Sequence, residues 1–312
     1  METALIESGY SKRLLTRLDI LARTGEHMRV NKNVKKCIAF LGIETENGGF
    51  SVEGTAFLAS YFEEECAFMN LVTAAHILKD FPDVVSVRLN RKDGTPGIIR
   101  TKKTDWFPHP DSTVDIAVFP VADLFAMGYD VLTVDLKGYP VTDEIIKERG
   151  FSEGDEVFIA GAYVSRIGTL KNLPIIRVGT IASMAIEPIW PASKKLPAYL
   201  VEVRSIGGLS GSPVFVQQPI VEHKVGKAHF NEVEQHEFIL GVVLGYHIDS
   251  RLIDRIKDDD EEPDIDFPEF NTGITVVQPI QQVLETLEIP LLKELRMKAI
   301  EKHKKESGMS SI

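Results

Sequence analysis

Short runs of β-branched and aromatic residues, separated by turn residues, constrain the fold of this 312-residue chain more than any other feature. Such runs are typical of β-strands. They pause over residues 121–150, which mix apolar and charged residues, and then resume. The runs are VKKCIAFLGIE, FSVEGTAFLASYF, CAFMNLVTAAH and VVSVRLN before the pause, and EVFIAGAY, IIRVGTIASMAI, AYLVEVRSI, SPVFVQ, EFILGVVLGYHI and GITVVQ after it. The sequence therefore predicts an all-β protein with two groups of strands.

Each group holds about six strands, which suits two closed barrels better than one sandwich, because closure removes exposed strand edges. Leucines and isoleucines at roughly helical spacing predict a helix over residues 11–24, and the C-terminal tail also has a helical period. We predict two packed six-stranded antiparallel β-barrels with short N- and C-terminal helices. The predicted segments are an N-terminal helical extension (1–33), a first barrel (34–121), a linker (122–150), a second barrel with the start of a C-terminal helix (151–290), and a basic helical tail (291–312).

Composition narrows the possible partners and cofactors. The net charge of −11 argues against a nucleic-acid-binding protein, which would need basic residues to neutralise phosphates. Cys37 and Cys66 lack the spacing of a zinc or redox site and are interpreted as buried free thiols, so no metal and no cofactor are expected. The acidic run DDDEEPDID at 258–266 is interpreted as a solvated loop because its like charges repel one another.

Apolar stretches are all much shorter than the ~20 residues that cross a bilayer. The first residues lack the continuous apolar block of a secretory signal. We therefore expect a cytoplasmic protein without a membrane partner, and the sequence leaves the oligomeric state open.

The stretch GGLSGSPVF at 207–215 places a serine among residues with little or no side chain. Glycine and proline often mark simple turns. The alternative is chemical, because a nucleophilic serine needs backbone N–H groups close to the carbonyl it attacks, and glycine allows that approach. Ser210 is then the candidate nucleophile.

A nucleophilic serine needs a base and a group that orients the base. His76 ends the apolar run LVTAAH, and Asp115 opens the apolar run DIAVFPV. Taken singly, His76 could be a structural histidine and Asp115 a strand-end cap, and His247 is the next candidate base. The order of the three residues along the chain favours the catalytic interpretation.

The three motifs together resemble those of the trypsin/chymotrypsin-like serine peptidases, in that family's order of His, Asp and Ser. They are TAAH at 73–76, DIAV at 115–118 and GLSGSP at 208–213, and the resemblance covers about residues 34–290. Ser212 stands where a second glycine is more usual, a form similar to that of certain viral and bacterial members.

The resemblance implies a serine endopeptidase that acts on proteins or peptides in a cleft between two barrels. It implies that His76 is the general base and then the acid, that Asp115 orients it, and that Ser210 attacks the scissile carbonyl. It also implies an oxyanion hole made by the backbone N–H groups of Gly208 and Ser210.

The resemblance extends to substrate binding and activation. It implies that Leu244, Gly245 and Tyr246 pair with the substrate backbone, and that Arg204 lies at the floor of the primary specificity pocket and favours an acidic residue. Secreted members are activated when a new N-terminal amine pairs with an aspartate just before the nucleophile. Leu209 occupies that position here, so we expect activity without such a cleavage.

Two other functions are compatible with parts of the sequence. An α/β-hydrolase needs G-x-S-x-G followed by a helix, whereas here the last glycine is missing and a strand follows. A catalytically silent module that binds peptides or partners on the same fold remains the alternative to the endopeptidase.

Overall fold

The structure is a computed structural model and describes residues 30–64, 66–187, 197–204, 207–220, 234–248 and 271–306. The helix predicted at 11–24 and the acidic run at 258–266 lie outside the described residues.

The first half of the described chain forms one eight-stranded sheet in the order β5-β4-β1-β2-β3-β7-β6, with β8 pairing with β2. Neighbouring strands within this sheet are antiparallel, except that β8 runs parallel to β2. The strands are β1 (Ile38–Glu44), β2 (Phe50–Glu63), β3 (Cys66–Ala74), β4 (Val84–Asn90), β5 (Pro96–Lys102), β6 (Phe107–Pro108), β7 (Ile116–Pro120) and β8 (Val134–Asp135).

The second half forms a closed antiparallel barrel in the order β10-β11-β14-β13-β12-β9, closed by the pairing of β9 with β10. Its strands are β9 (Glu156–Gly161), β10 (Ile175–Ser183), β11 (Tyr199–Glu202), β12 (Pro213–Ile220), β13 (Glu234–Ile248) and β14 (Asn271–Pro279). The predicted all-β fold is confirmed, with one closed six-stranded antiparallel barrel and a second sheet. The first half has eight strands where six were expected, because β6 and β8 have two residues each and are too short to show a strand period.

Four α-helices accompany the strands in the described residues. They are α1 (Ala75–Lys79), α2 (Asp143–Arg149), α3 (Ile280–Leu287) and α4 (Pro290–Glu306). Helix α2 lies within the predicted linker and ends at Gly150, whose φ of 72° is the left-handed conformation that glycine adopts readily. None of the described helices is both long enough and apolar enough to cross a membrane.

Each half has its own hydrophobic core. Leu41, Leu58, Leu71 and Val87 are fully buried in the first core, which belongs to the sheet. The barrel encloses the second core, whose fully buried members include Ile159, Val214, Leu240 and Val277. Burying a side chain of this size stabilises the fold by about 1.5–3 kcal/mol, so these two cores fix the strands between which the candidate site lies.

Helix α4 is attached to β2 and to the end of α3 by one buried arginine. The Arg296 side chain is 6% exposed, contacts the Glu63 carboxylate, donates to the Leu287 carbonyl at 2.6 Å and lies over the Tyr61 ring. Burial, together with a hydrogen bond to Glu288, raises the pKa of Tyr61 to about 12. The C-terminal helix therefore packs on the first sheet through a charged group whose hydrogen bonds are satisfied.

Candidate active site

His76 lies at the point where β3 ends and α1 begins. Helix α1 buries Ile77 and Leu78 in the first core, and this anchors the residue just before them. The His76 side chain itself is 40% exposed. An imidazole in this position combines a fixed backbone with access to solvent or substrate.

Asp115 holds His76 through two hydrogen bonds. The His76 backbone N–H donates to Oδ1 at 2.8 Å, and His76 Nδ1 lies 2.6 Å from Oδ2. The Asp115 side chain is only 7% exposed, so solvent screens this contact weakly. Because an ionised carboxylate only accepts hydrogen bonds, Nδ1 must carry a proton and donate it, and in the neutral ring Nε2 then has the free lone pair of a base.

The backbone of Asp115 is fixed from two directions. Its N–H donates to Gln278 Oε1 at 2.9 Å, and its carbonyl accepts from the Ala75 N–H at 3.1 Å. Gln278 is 2% exposed and belongs to β14 of the barrel, whereas Asp115 precedes β7 of the sheet. The carboxylate that orients His76 therefore depends on a contact between the two halves.

The serine loop reaches the same place from the barrel side. Gly211 has a φ of 80°, and a Cβ there would lie 2.0 Å from the Thr55 carbonyl and 2.4 Å from Thr73 Oγ1. It would also lie 3.1 Å from Ile77, the residue after His76. Only glycine fits this close approach, which brings the residue after Ser210 against β2, β3 and α1.

The hydroxyl of Ser210 donates to the Leu244 carbonyl at 3.0 Å. Among the described residues it forms no hydrogen bond with His76. A hydroxyl has one proton, so it cannot donate to both acceptors at once. In this state Ser210 and the His76–Asp115 pair are near one another without being joined.

Two N–H groups beside the Ser210 hydroxyl are available for a ligand. The amides of Gly208 and Ser210 donate to no acceptor within the described part of the chain. The Leu209 carbonyl, in the same peptide unit as the Ser210 N–H, accepts from the Ser212 N–H at 2.9 Å. Because a trans peptide is planar, with its N–H and C=O on opposite sides, this bond directs the Ser210 N–H away from the Ser212 N–H.

The predicted substrate-binding residues lie on the barrel. Pairing between β12 and β13 ends at Val242. Beyond it Gly245 and Tyr246 pair only with β14 among the described strands, and Leu244 lies at a register shift between β13 and β14. The side chain of Tyr246 lies outside the described residues. Arg204 follows β11, is exposed, and forms no ion pair with a described residue.

Other candidate groups take no part in this arrangement. The side chain of His247, the competing base, lies outside the described residues. Cys37 and Cys66 are free, and Cys66 is half-buried where a buried thiol was predicted. Within the described ranges, no three His, Cys, Asp or Glu side chains form a group that could hold a metal ion.

Sequence reasoning missed two polar residues of the site, Thr55 and Gln278. Both are buried. They are 153 and 163 positions from the residues that they contact at the site, Gly208 and Asp115. No local sequence pattern identifies either residue, because the role of each comes from a hydrogen bond to a residue in the opposite half.

Comparison with known proteins finds similarity among solved structures. No protein-family model and no curated protein sequence matches the chain. Among solved structures, the chain is similar to the protease domain of MamO from Magnetospirillum magneticum in its apo form, with 12% identity and a TM-score of 0.48. The match covers 83% of this chain and 100% of that domain.

Proposed function

We propose that this protein is a serine endopeptidase that cleaves peptide bonds through Ser210, His76 and Asp115. The observation that carries the proposal is the double hydrogen bond between Asp115 and His76, with Nδ1 and Oδ2 2.6 Å apart. The free amides of Gly208 and Ser210 support it, because they are the donors that a developing oxyanion requires.

Acylation begins when the Ser210 hydroxyl turns from the Leu244 carbonyl to His76. His76 Nε2 removes the proton as Ser210 Oγ attacks the scissile carbonyl, and Asp115 stabilises the resulting imidazolium. The Gly208 and Ser210 amides stabilise the negative oxygen of the tetrahedral intermediate. His76 then gives its proton to the departing amine, which leaves an ester on Ser210.

Deacylation reverses these roles with water as the nucleophile. His76 takes a proton from the water, and the hydroxide attacks the ester carbonyl in the same oxyanion hole. The second tetrahedral intermediate collapses, His76 returns the proton to Ser210 Oγ, and the carboxylic acid product leaves. No group beyond the chain and water enters this sequence of steps.

The substrate proposed for this site is an extended peptide. The edge of Gly245 and Tyr246 that faces away from β14 supports this, because β12 pairs with β13 only as far as Val242 and an edge of this kind can accept another strand. Leu244 also carries the carbonyl to which the Ser210 hydroxyl donates. A peptide paired along this edge would therefore run past the nucleophile.

Activity is proposed to need no new N-terminus. Leu209, immediately before Ser210, is fully buried in the barrel core. It offers no carboxylate for an ammonium group, and an unpaired charge there would be strongly destabilising. The intact chain should therefore have a competent oxyanion loop.

One observation favours a second candidate, a peptide-binding module without turnover. The Ser210 hydroxyl hydrogen bonds to Leu244, and no described contact joins it to His76. In a silent module this arrangement would persist with a peptide bound. In an enzyme it is a resting state, since catalytic hydrogen bonds often form fully only in the complex with substrate.

Labelling with a fluorophosphonate probe tests the proposal. The chain, verified as intact by mass spectrometry, should label covalently, Ser210→Ala should not, and the neighbouring Ser212→Ala should label like the unchanged protein. Absence of labelling in the intact, folded chain would favour the binding module. Labelling that appears only after cleavage within the first 35 or so residues would instead contradict activity without processing.

A further inference from the structure

Thr55 lies in β2 of the sheet, is fully buried, and makes its polar contacts with the serine loop and its surroundings. Its Oγ1 donates to the Gly208 carbonyl at 2.6 Å and accepts from the Ala162 N–H at 2.9 Å. Its backbone N–H donates to the Ser210 carbonyl at 2.9 Å. One residue of the sheet therefore holds the carbonyls on both sides of Leu209.

The loop needs an external anchor of this kind. Gly207 and Gly208 are consecutive glycines, and Gly208 has a φ of 96°, so backbone sterics restrict the orientation of these peptide units weakly. The Gly207 carbonyl has a long contact with the Val164 N–H, at 3.4 Å. The bond from Thr55 Oγ1 to the Gly208 carbonyl, at 2.6 Å, is far shorter, and the residue that donates it is fully buried.

We infer that Thr55 is a positioning residue for the oxyanion hole. Its bonds to the Gly208 and Ser210 carbonyls fix the Gly208–Leu209 and Ser210–Gly211 peptide units. These units adjoin the ones that carry the Gly208 and Ser210 N–H groups, so fixing them limits the rotation of both amides away from the site of the developing oxyanion. This inference rests on the proposed peptidase function. It adds a residue from the sheet that acts through the barrel's serine loop without touching the substrate.

A positioning role predicts a particular kinetic effect. Oxyanion donors interact most strongly with the transition state, so misplacing them lowers kcat more than it raises KM. Removing one donor outright costs about 10²- to 10³-fold in kcat. Loosening its anchor should cost less, about 10- to 100-fold.

The test compares Thr55→Val, which keeps the shape and removes the hydroxyl, with Thr55→Ser, which keeps the hydroxyl. Thr101→Val is the matched control, because Thr101 Oγ1 is also buried, donates to the Val85 carbonyl at 3.1 Å and accepts from Trp106 Nε1 at 2.9 Å. We expect Thr55→Val to lower kcat about 10- to 100-fold with KM changed less than about threefold. Thr55→Ser should restore most of kcat, and Thr101→Val should leave it unchanged.

The outcomes separate this inference from the proposed function. A folded Thr55→Val with unchanged kcat, or a Thr55→Ser that is as slow as Thr55→Val, would overturn the positioning role while leaving the peptidase intact. Absence of labelling and turnover in the unchanged protein would overturn the proposed function itself. Should Thr55→Val fail to fold, Thr55→Cys carries the test, because its thiol is a weaker donor: an intermediate kcat supports the inference and an unchanged kcat refutes it.

Discussion

The backbone N–H of Asp115 donates to the side-chain oxygen of Gln278 at 2.9 Å, so the carboxylate that orients His76 is fixed by a strand of the opposite half. Replacing Gln278 by methionine keeps its approximate volume and removes the acceptor. We expect the free energy of unfolding to fall by about 1–3 kcal/mol, because a buried amide is left unpaired. Denaturation in urea measures this, and kcat should fall in parallel as Asp115 shifts.

Gln281→Met is the control for this change. Gln281 is on the exposed side of α3, where its amide makes only a 3.5 Å contact with Glu285. Stability and kcat should both stay near their original values. Equal effects of the two substitutions would contradict the role given to Gln278.

Changing Asp115 to asparagine should lower kcat for peptide hydrolysis by about 10⁴-fold, because the amide no longer fixes the protonated Nδ1 of His76. Ser210→Ala and His76→Ala should each cost at least as much, since the members of a triad act as one unit. Asp111→Asn alters an exposed aspartate of the same loop and should leave turnover unchanged. Near-normal hydrolysis by His76→Ala would show that the base is misassigned.

Gly161 and Ser212 should show strong coupling in stability measurements. A Cβ at Gly161 would lie 2.0 Å from Ser212 Oγ, so Gly161→Ala should cost about 1–3 kcal/mol of unfolding free energy through overpacking. Ser212 Oγ is buried without a hydrogen-bond partner among the described residues, so Ser212→Gly removes the nearest obstruction without breaking a described bond and leaves Leu209 Cδ2 at 2.9 Å. In the Ser212→Gly background, Gly161→Ala should lower the free energy of unfolding by a smaller amount.

Gly245→Ala serves as the reference for this cycle, since no atom of the described residues lies within 4 Å of a Cβ placed there. Its effect on the unfolding free energy should be small in both backgrounds. If Gly161→Ala costs the same with and without Ser212, the steric explanation is wrong.

Stability should decline above pH 9 because of Cys37. Burial raises the pKa of its thiol from 9.0 to about 12. A raised folded-state pKa means that the contribution is complete below pH 9 and is lost as the pH rises toward 12, because the unfolded chain releases the proton first. The slope approaches about 1.4 kcal/mol per pH unit for one proton.

Urea denaturation at pH 8.0, 8.5, 9.0 and 9.5 measures the start of this decline. These pH values lie below 10.0, the unfolded-state pKa near which Tyr61 and Tyr199 begin to contribute, since their folded-state pKa values are raised to about 12. Cys37→Ala should flatten the decline, whereas Cys66→Ala, at the half-buried free cysteine, should leave it unchanged. The same slope in both variants would assign the pH dependence to other groups.

Arg204 should give the enzyme a preference for an acidic residue just before the cleaved bond. Arg204 has no ion-pair partner among the described residues, so its guanidinium is available for a substrate carboxylate. A peptide-library profile should show this preference, and Arg204→Gln should reduce kcat/KM for acidic substrates about tenfold. Arg166→Gln, at another exposed arginine, is the control. A profile dominated by Lys or Arg would refute the assignment.

The parts of the candidate site that have a local signature are the parts that the sequence made predictable. His76 and Asp115 each stand at an end of an apolar run, and Ser210 lies among glycines, so their neighbours reveal them. The contact between His76 and Asp115 could be expected because it spans only 39 positions along two neighbouring strands. The strand period likewise predicted the all-β fold.

Long-range polar contacts escaped prediction. In the sequence, Thr55 is indistinguishable from the other residues of its strand. Its proposed positioning role depends on the contact with Gly208, which is 153 positions away. The strand β8 is two residues long and pairs with β2 in parallel, so neither its length nor its sequence separates it from a loop. Helix α2 was included in a linker because its seven residues cover fewer than two full turns of apolar period.

Because β14 lies late in the sequence, the barrel cannot close until most of the chain has been synthesised. Residues 76, 115 and 210 leave the ribosome well before Gln278, and until β14 pairs with β11 and β13 the barrel is open. A nascent chain therefore carries the three candidate catalytic side chains while Asp115 still lacks its partner from β14. If the chain has the proposed peptidase activity, that activity would arise only after β14 has joined, and emerging chains would be protected from premature cleavage.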